Sequence, residues 1–83
     1  MADQEHEHKT ITYFVNGERL ATYNDDLTVR EILTYAGFTP VERYRLTGDR
    51  GNHVYTDYDQ KVELHEDERF TATYLGPTPT SQK

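Results

Sequence analysis

The sequence contains no cysteine. A disulfide staple, a thiolate nucleophile and a cysteine-ligated zinc are therefore excluded, and nothing points to an oxidising compartment. Apolar residues are scarce: 34% of the 83 residues are hydrophobic, below the globular norm. No apolar run is long enough to cross a bilayer, and the opening MADQEHEHK lacks the basic-then-apolar form of a signal peptide. The expectation is a cytoplasmic protein without a membrane partner. Positive charge is short as well, with 9 Lys and Arg against 15 Asp and Glu and a formal net charge of −6. Such a chain repels a phosphate backbone, which argues against nucleic acid as a partner.

Aromatic surface is what the chain does have. Seven tyrosines and three phenylalanines make up 12% of it. Apolar area concentrated in a few large side chains suits a half-buried sheet better than a helical bundle. At this length one domain is expected, burying about 60% of the surface its unfolded form exposes. Residues 1–8 are polar, charged and without periodicity, so they read as a disordered tail. The domain is expected over 9–76, and 77–83 as a flexible C-terminal tail.

In ITYFVNGERLATY, alternation puts Ile11, Tyr13 and Val15 on one face and Thr12 and Phe14 on the other. Asn16-Gly17 is the strongest short-range hairpin signal, because a type I′ turn needs positive φ at both central residues. A two-residue turn there pairs Val15 with Glu18, Tyr13 with Leu20 and Ile11 with Thr22. Downstream, Thr28 followed three residues later by Glu31 forms a capping box, with Leu27 placed to staple onto Ile32. Val29, Ile32, Leu33 and Ala36 keep the rhythm of one buried helical stripe, and Gly37 supplies the left-handed residue that closes it. About two turns of helix cannot stand alone in water, so the hairpin's apolar face must be its bed.

Beyond Thr39-Pro40, Tyr44 and Leu46 alternate with Arg43, Arg45 and Thr47, a strand with one apolar and one basic face. GDRGN reads as a turn, His53-Val54-Tyr55 as a short strand, and TDYDQK as an irregular polar stretch. Val62 and Leu64 read as anchors under a loop, and HEDE as a solvated turn. RFTATYL alternates again, with Phe70 and Ala72 inward and Thr71 and Thr73 outward. A helix between a first hairpin and later strands can cross one sheet face, letting the last strand pair with the first in parallel, right-handed sense. That predicts an α+β, ubiquitin-like β-grasp: a mixed sheet with one short helix across it.

Candidate chemistry is sparse. His6 and His8 lie in the N-terminal tail, and His53 and His65 on separate elements without a nucleophile in view. Asp25-Asp26 and Glu66-Asp67-Glu68 read as solubilising loop acids rather than an acid/base pair. GDRG lacks the spacing and the Lys-Ser/Thr of a phosphate loop. No enzyme, cofactor or metal is expected.

FVNGERLATYNDDLTVREILTYAGF, then RYRLTGD and KVELHEDERFTA, resembles bacterial ubiquitin-like proteins of the multiubiquitin type. The resemblance runs from about Ile11 to Gly76, and is most specific in the VNG turn, the T-x-REIL-x-x-AG helix and ERFTA. It implies a single-domain modifier of a bacterial ubiquitination-like operon, such as those of anti-phage defence. Its partners would be an activating enzyme, a conjugating enzyme, a deconjugating or processing peptidase, and target proteins. What is handled in that case is the carboxylate of a C-terminal glycine, here Gly76. Family modifiers act through a terminal Gly or Gly-Gly, whereas Gly76 is followed by Pro77-Thr78-Pro79-Thr80-Ser81-Gln82-Lys83. A precursor cut between Gly76 and Pro77 is therefore expected. Lys9 and Lys61 are candidate acceptors for chain formation. Phe14, Arg43, Arg45, Thr71, Thr73 and Leu75 are the expected partner-binding surface, since they face away from the helix or flank the exit. Two alternatives stand beside the modifier: a non-covalent β-grasp interaction module or adaptor, and a sulfur carrier, ranked last because such carriers end in glycines.

Overall fold

The computed structural model describes residues 10–76 of the chain. Expectations for residues 1–9 and 77–83, including His6, His8, Lys9 and Pro77, lie outside the described residues. Among the described residues, seven strands and one α-helix follow in order: β1 Ile11–Val15, β2 Glu18–Thr22, β3 Asp26–Thr28, α1 Val29–Tyr35, β4 Tyr44–Gly48, β5 His53–Tyr55, β6 Lys61–Glu63 and β7 Glu68–Tyr74. Five of the strands form one sheet in the order β2-β1-β7-β4-β5, and β3 pairs with β6 beside it.

The β1–β2 hairpin has the register its turn dictates, with Val15 opposite Glu18, Tyr13 opposite Leu20 and Ile11 opposite Thr22. Asn16 and Gly17 take φ of 53° and 83°, the positive pair of a type I′ turn. Asn16 also reaches across to β7. Its backbone N–H donates to the Phe70 carbonyl at 3.0 Å, its side-chain amide donates to the Ala72 carbonyl at 3.1 Å, and its side-chain oxygen accepts from the Ala72 N–H at 2.9 Å. The turn thus carries the parallel β1–β7 ladder (Tyr13 opposite Glu68, Val15 opposite Phe70) beyond the end of β1.

The helix begins where its capping box sits. The Thr28 hydroxyl accepts from the Glu31 N–H at 3.0 Å, and the Glu31 carboxylate accepts from the Thr28 N–H at 2.8 Å. The next free donors of the first turn, Val29 N–H and Arg30 N–H, go to the carbonyls of Gln60 and Tyr58 at 3.0 and 2.9 Å. The polar stretch before β6 is therefore held by the helix N-terminus. At the other end, Gly37 at φ 90° lets its own N–H reach the Thr34 carbonyl and the Phe38 N–H reach the Leu33 carbonyl, at 3.0 and 2.9 Å. These two bonds make a Schellman closure. Val29, Ile32 and Leu33 are fully buried, in one cluster with Tyr13, Val15, Leu46 and Phe70 from the sheet. Thr28→Ala should cost about 1 kcal/mol of stability, read as a lower urea midpoint at unchanged slope, with Thr28→Ser nearly neutral.

Two expectations are corrected. Val62 and Leu64 are buried anchors at 4% exposure, but Val62 belongs to a strand: β6 pairs antiparallel with β3, Leu27 opposite Val62. Arg43 is not on β4. Val41–Arg43 form a 3-10 turn, and the strand starts at Tyr44. Leading into β4, Pro40 has no N–H, and the tight turn that follows closes with the Arg43 N–H donating back to the Pro40 carbonyl at 3.0 Å.

Candidate functional site

β7 lies at the centre of the sheet, parallel to β1 on one side and antiparallel to β4 on the other, with Tyr44 opposite Tyr74. The pairing runs one residue beyond the strand, because the Leu75 N–H donates to the Arg43 carbonyl at 2.6 Å. There the clamp stops. Leu75 is 46% exposed and Tyr74 49%, and Gly76 sits half-buried at a bend. A shallow open cleft lined by Arg45, Tyr55, Thr56, Tyr58 and Leu75 borders this exit. Burial, and next the Glu68 charge, push the Tyr55 phenol above its ordinary value, so it stays a neutral donor beside the cleft.

The sheet face away from α1 carries the other predicted residues. Phe14 sits between two arginines, Arg19 opposite it on β2 and Arg69 opposite it on β7. The Arg69 guanidinium lies over the Phe14 ring at 4.4 Å from its centroid, a cation–π pair on an open surface. Thr71 lies opposite Thr47 and donates its hydroxyl to the Asp49 carboxylate at 2.8 Å. Thr73 lies opposite Arg45, at the end of the face nearest Leu75. Arg43, expected here as well, stands off the face on its 3-10 turn and contributes a backbone carbonyl to the exit instead.

The ion pairs sharpen the picture. Arg30 pairs with Asp59 and Glu42, Arg50 with Glu68, and Lys61 with Asp26. Arg19, Arg45 and Arg69, the three arginines of the outer face, have no carboxylate partner among the described residues. Sequence reasoning missed Arg19 and Arg69. The hairpin register already set Arg19 against Phe14, and the alternation of RFTATYL already turned Arg69 outward; the parallel β1–β7 register alone was out of reach.

No protein-family model matches the sequence, and no curated protein matches it either. A solved structure does match. The crystal structure of thiamine biosynthesis protein ThiS from Geobacter metallireducens aligns over 82% of this chain and 99% of its own, with a TM-score of 0.59 and 17% identity. The chain has the β-grasp, ubiquitin-like fold. At that identity the likeness is one of architecture: a mixed five-stranded sheet, one helix across it, and a central last strand. The α+β expectation drawn from hairpin, helix and strand order is met. In this β-grasp no helix among the described residues is long and apolar enough to cross a membrane.

Proposed function

We propose that this chain is a ubiquitin-like protein modifier made as a precursor. A dedicated peptidase hydrolyses the Gly76–Pro77 bond, adding one water and freeing the Gly76 carboxylate. An activating enzyme joins that carboxylate to the AMP part of ATP, releasing pyrophosphate, and a conjugating enzyme then transfers the acyl group of Gly76 to an amine or hydroxyl of a target as AMP leaves. The observation that carries this reading is the exit itself. A strand clamped on both sides delivers Gly76 one residue past its last ladder bond, beyond a half-exposed Tyr74 and Leu75. A glycine fits that role because, lacking a Cβ, it threads narrow clefts and accepts the φ an enzyme imposes. The β-grasp likeness to ThiS and the resemblance to multiubiquitin-type proteins both support it. A bacterial ubiquitination-like pathway, in anti-phage defence or protein regulation, is the proposed setting, and the cytoplasm the proposed compartment.

Mixing the full chain with a processing peptidase of the proposed pathway should remove Pro77 to Lys83, seen as a lower intact mass. An unchanged mass overturns the precursor. With the activating and conjugating enzymes added, covalent adducts should form and Gly76→Glu should abolish them.

The adaptor reading is favoured by one observation, the arginines around Phe14 that have no carboxylate partner among the described residues. It predicts that partners bind through the outer face and that Gly76→Glu leaves binding unchanged with no adduct in either protein.

A further inference from the structure

Acids outnumber bases in this chain by 15 to 9, yet one surface has none of them. Strand register decides which side chains point away from α1. Along β2, β1, β7, β4 and β5, the outward positions hold only Arg, Thr, Ala, Val and Phe, and no Asp or Glu. Asp49, one residue past the end of β4, is taken up by the Thr71 hydroxyl at 2.8 Å. Elsewhere Arg30, Arg50 and Lys61 are paired with acids. Arg19, Arg45 and Arg69 are exposed and have no carboxylate partner among the described residues.

Arg19, Phe14 and Arg69 stand in one row across β2, β1 and β7. The outer two strands of that trio lie roughly 10 Å apart, because neighbouring strands are spaced by about 4.8 Å. Phe14 is half-buried between them, and the Arg69 guanidinium lies over its ring. A guanidinium so placed uses its face on the ring and keeps its N–H edge for a carboxylate fork. Arg45 stands further along, opposite Thr73 and beside the exit cleft. Three cations with no acid between them repel one another weakly, and an incoming carboxylate relieves that repulsion.

We propose that this face is the docking surface for a short acidic segment of a partner protein, its carboxylates pairing with Arg19 and Arg69 on either side of Phe14 and with Arg45 towards the exit. Charge complementarity selects that occupant. A long polyanion such as nucleic acid extends past three arginines and meets the repulsion of a chain with net charge −6. A short segment carries a few carboxylates and ends where the cations end. The inference builds on the adaptor reading and gives it a partner chemistry, but it needs neither Gly76 nor a cut. A chain that forms no adduct therefore leaves it standing.

The test uses the full chain, followed residue by residue in NMR titrations. The probe is the acetylated and amidated peptide Ser-Glu-Pro-Pro-Glu-Ser. Its prolines favour an extended helix of three residues per turn, which sets the two carboxylates on one side, about 9 Å apart. The probe should shift the amides around Phe14, Arg19 and Arg69, and its Gln-Pro-Pro-Gln counterpart should bind at least about tenfold more weakly. Arg19→Gln and Arg69→Gln should each weaken binding about threefold, and together about tenfold, with melting temperatures unchanged. Raising the salt to about 0.3 M should weaken it as well. Arg30→Gln removes the same charge away from the face and should leave binding unchanged; an equal loss there reduces the effect to net charge and overturns the proposal. So does a glutamine peptide that binds as well as the acidic one, or no binding of the acidic one at all. An oligothymidylate strand that binds more tightly than the peptide assigns the face to nucleic acid. Shifts that follow the protein's own concentration assign it to a second copy. Shifts at the same amides on neutralising Asp3, Glu5 and Glu7 without peptide assign it to the chain's own start. Each of these three results overturns the proposal too.

Discussion

A Phe70→Ala variant should melt roughly 15–30 °C below the parent, and part of it should be unfolded at 37 °C. Phe70 is 2% exposed at the centre of the inner sheet face, opposite Val15 on β1 and Gly48 on β4. Its ring meets the Tyr13 ring edge-on at 6.3 Å. Truncating such a ring typically costs roughly 3–5 kcal/mol, through lost transfer energy and the cavity left behind. A domain this small has only about 4–12 kcal/mol in total. The loss therefore removes a large share of its stability, and it strikes the strand that also carries Gly76. Thermal melts followed by circular dichroism measure it; a drop of only a few degrees would show that the core does not centre on β7.

The second large effect is expected at a surface turn. Asn16→Ala should cost roughly 2–4 kcal/mol, adding the strain of a non-glycine residue at positive φ to an orphaned backbone donor. Asn16 sits at φ 53° and its side chain satisfies both the N–H and the carbonyl of Ala72. Asn16→Gly separates the two terms, since glycine keeps the turn and loses only the amide. It should recover about half of the loss. Denaturant melts give the energies, and amide exchange at Ala72 should rise in both variants. Equal stability of Asn16→Ala and the parent would mean that the side-chain bridge to β7 contributes nothing.

These effects show which parts of the fold were legible. Local signals spoke clearly: Asn16-Gly17 set both turn type and register, and Thr28 with Glu31 placed the helix start to the residue. The β3–β6 ladder was not legible, because three residues are too few for alternation to declare itself and Asp26–Thr28 reads equally well as the lead-in to a helix. Arg43 looked like part of β4 because alternation cannot separate a strand from a 3-10 turn feeding into it. At the candidate site, Gly76 and Leu75 were singled out from the place where the alternation stops. Arg69 over Phe14 depended on pairing between strands more than fifty residues apart, which no local pattern encodes.

The parallel contact between β1 and β7 also settles how the molecule bears a mechanical load. Tension applied at the start of β1 and the end of β7 pulls these two neighbours past one another lengthwise. Every rung between them, Asn16's extra ones included, is then strained at the same moment instead of peeling open singly. A molecular machine dragging on the chain beyond Leu75 while β1 was held would have to break those rungs together.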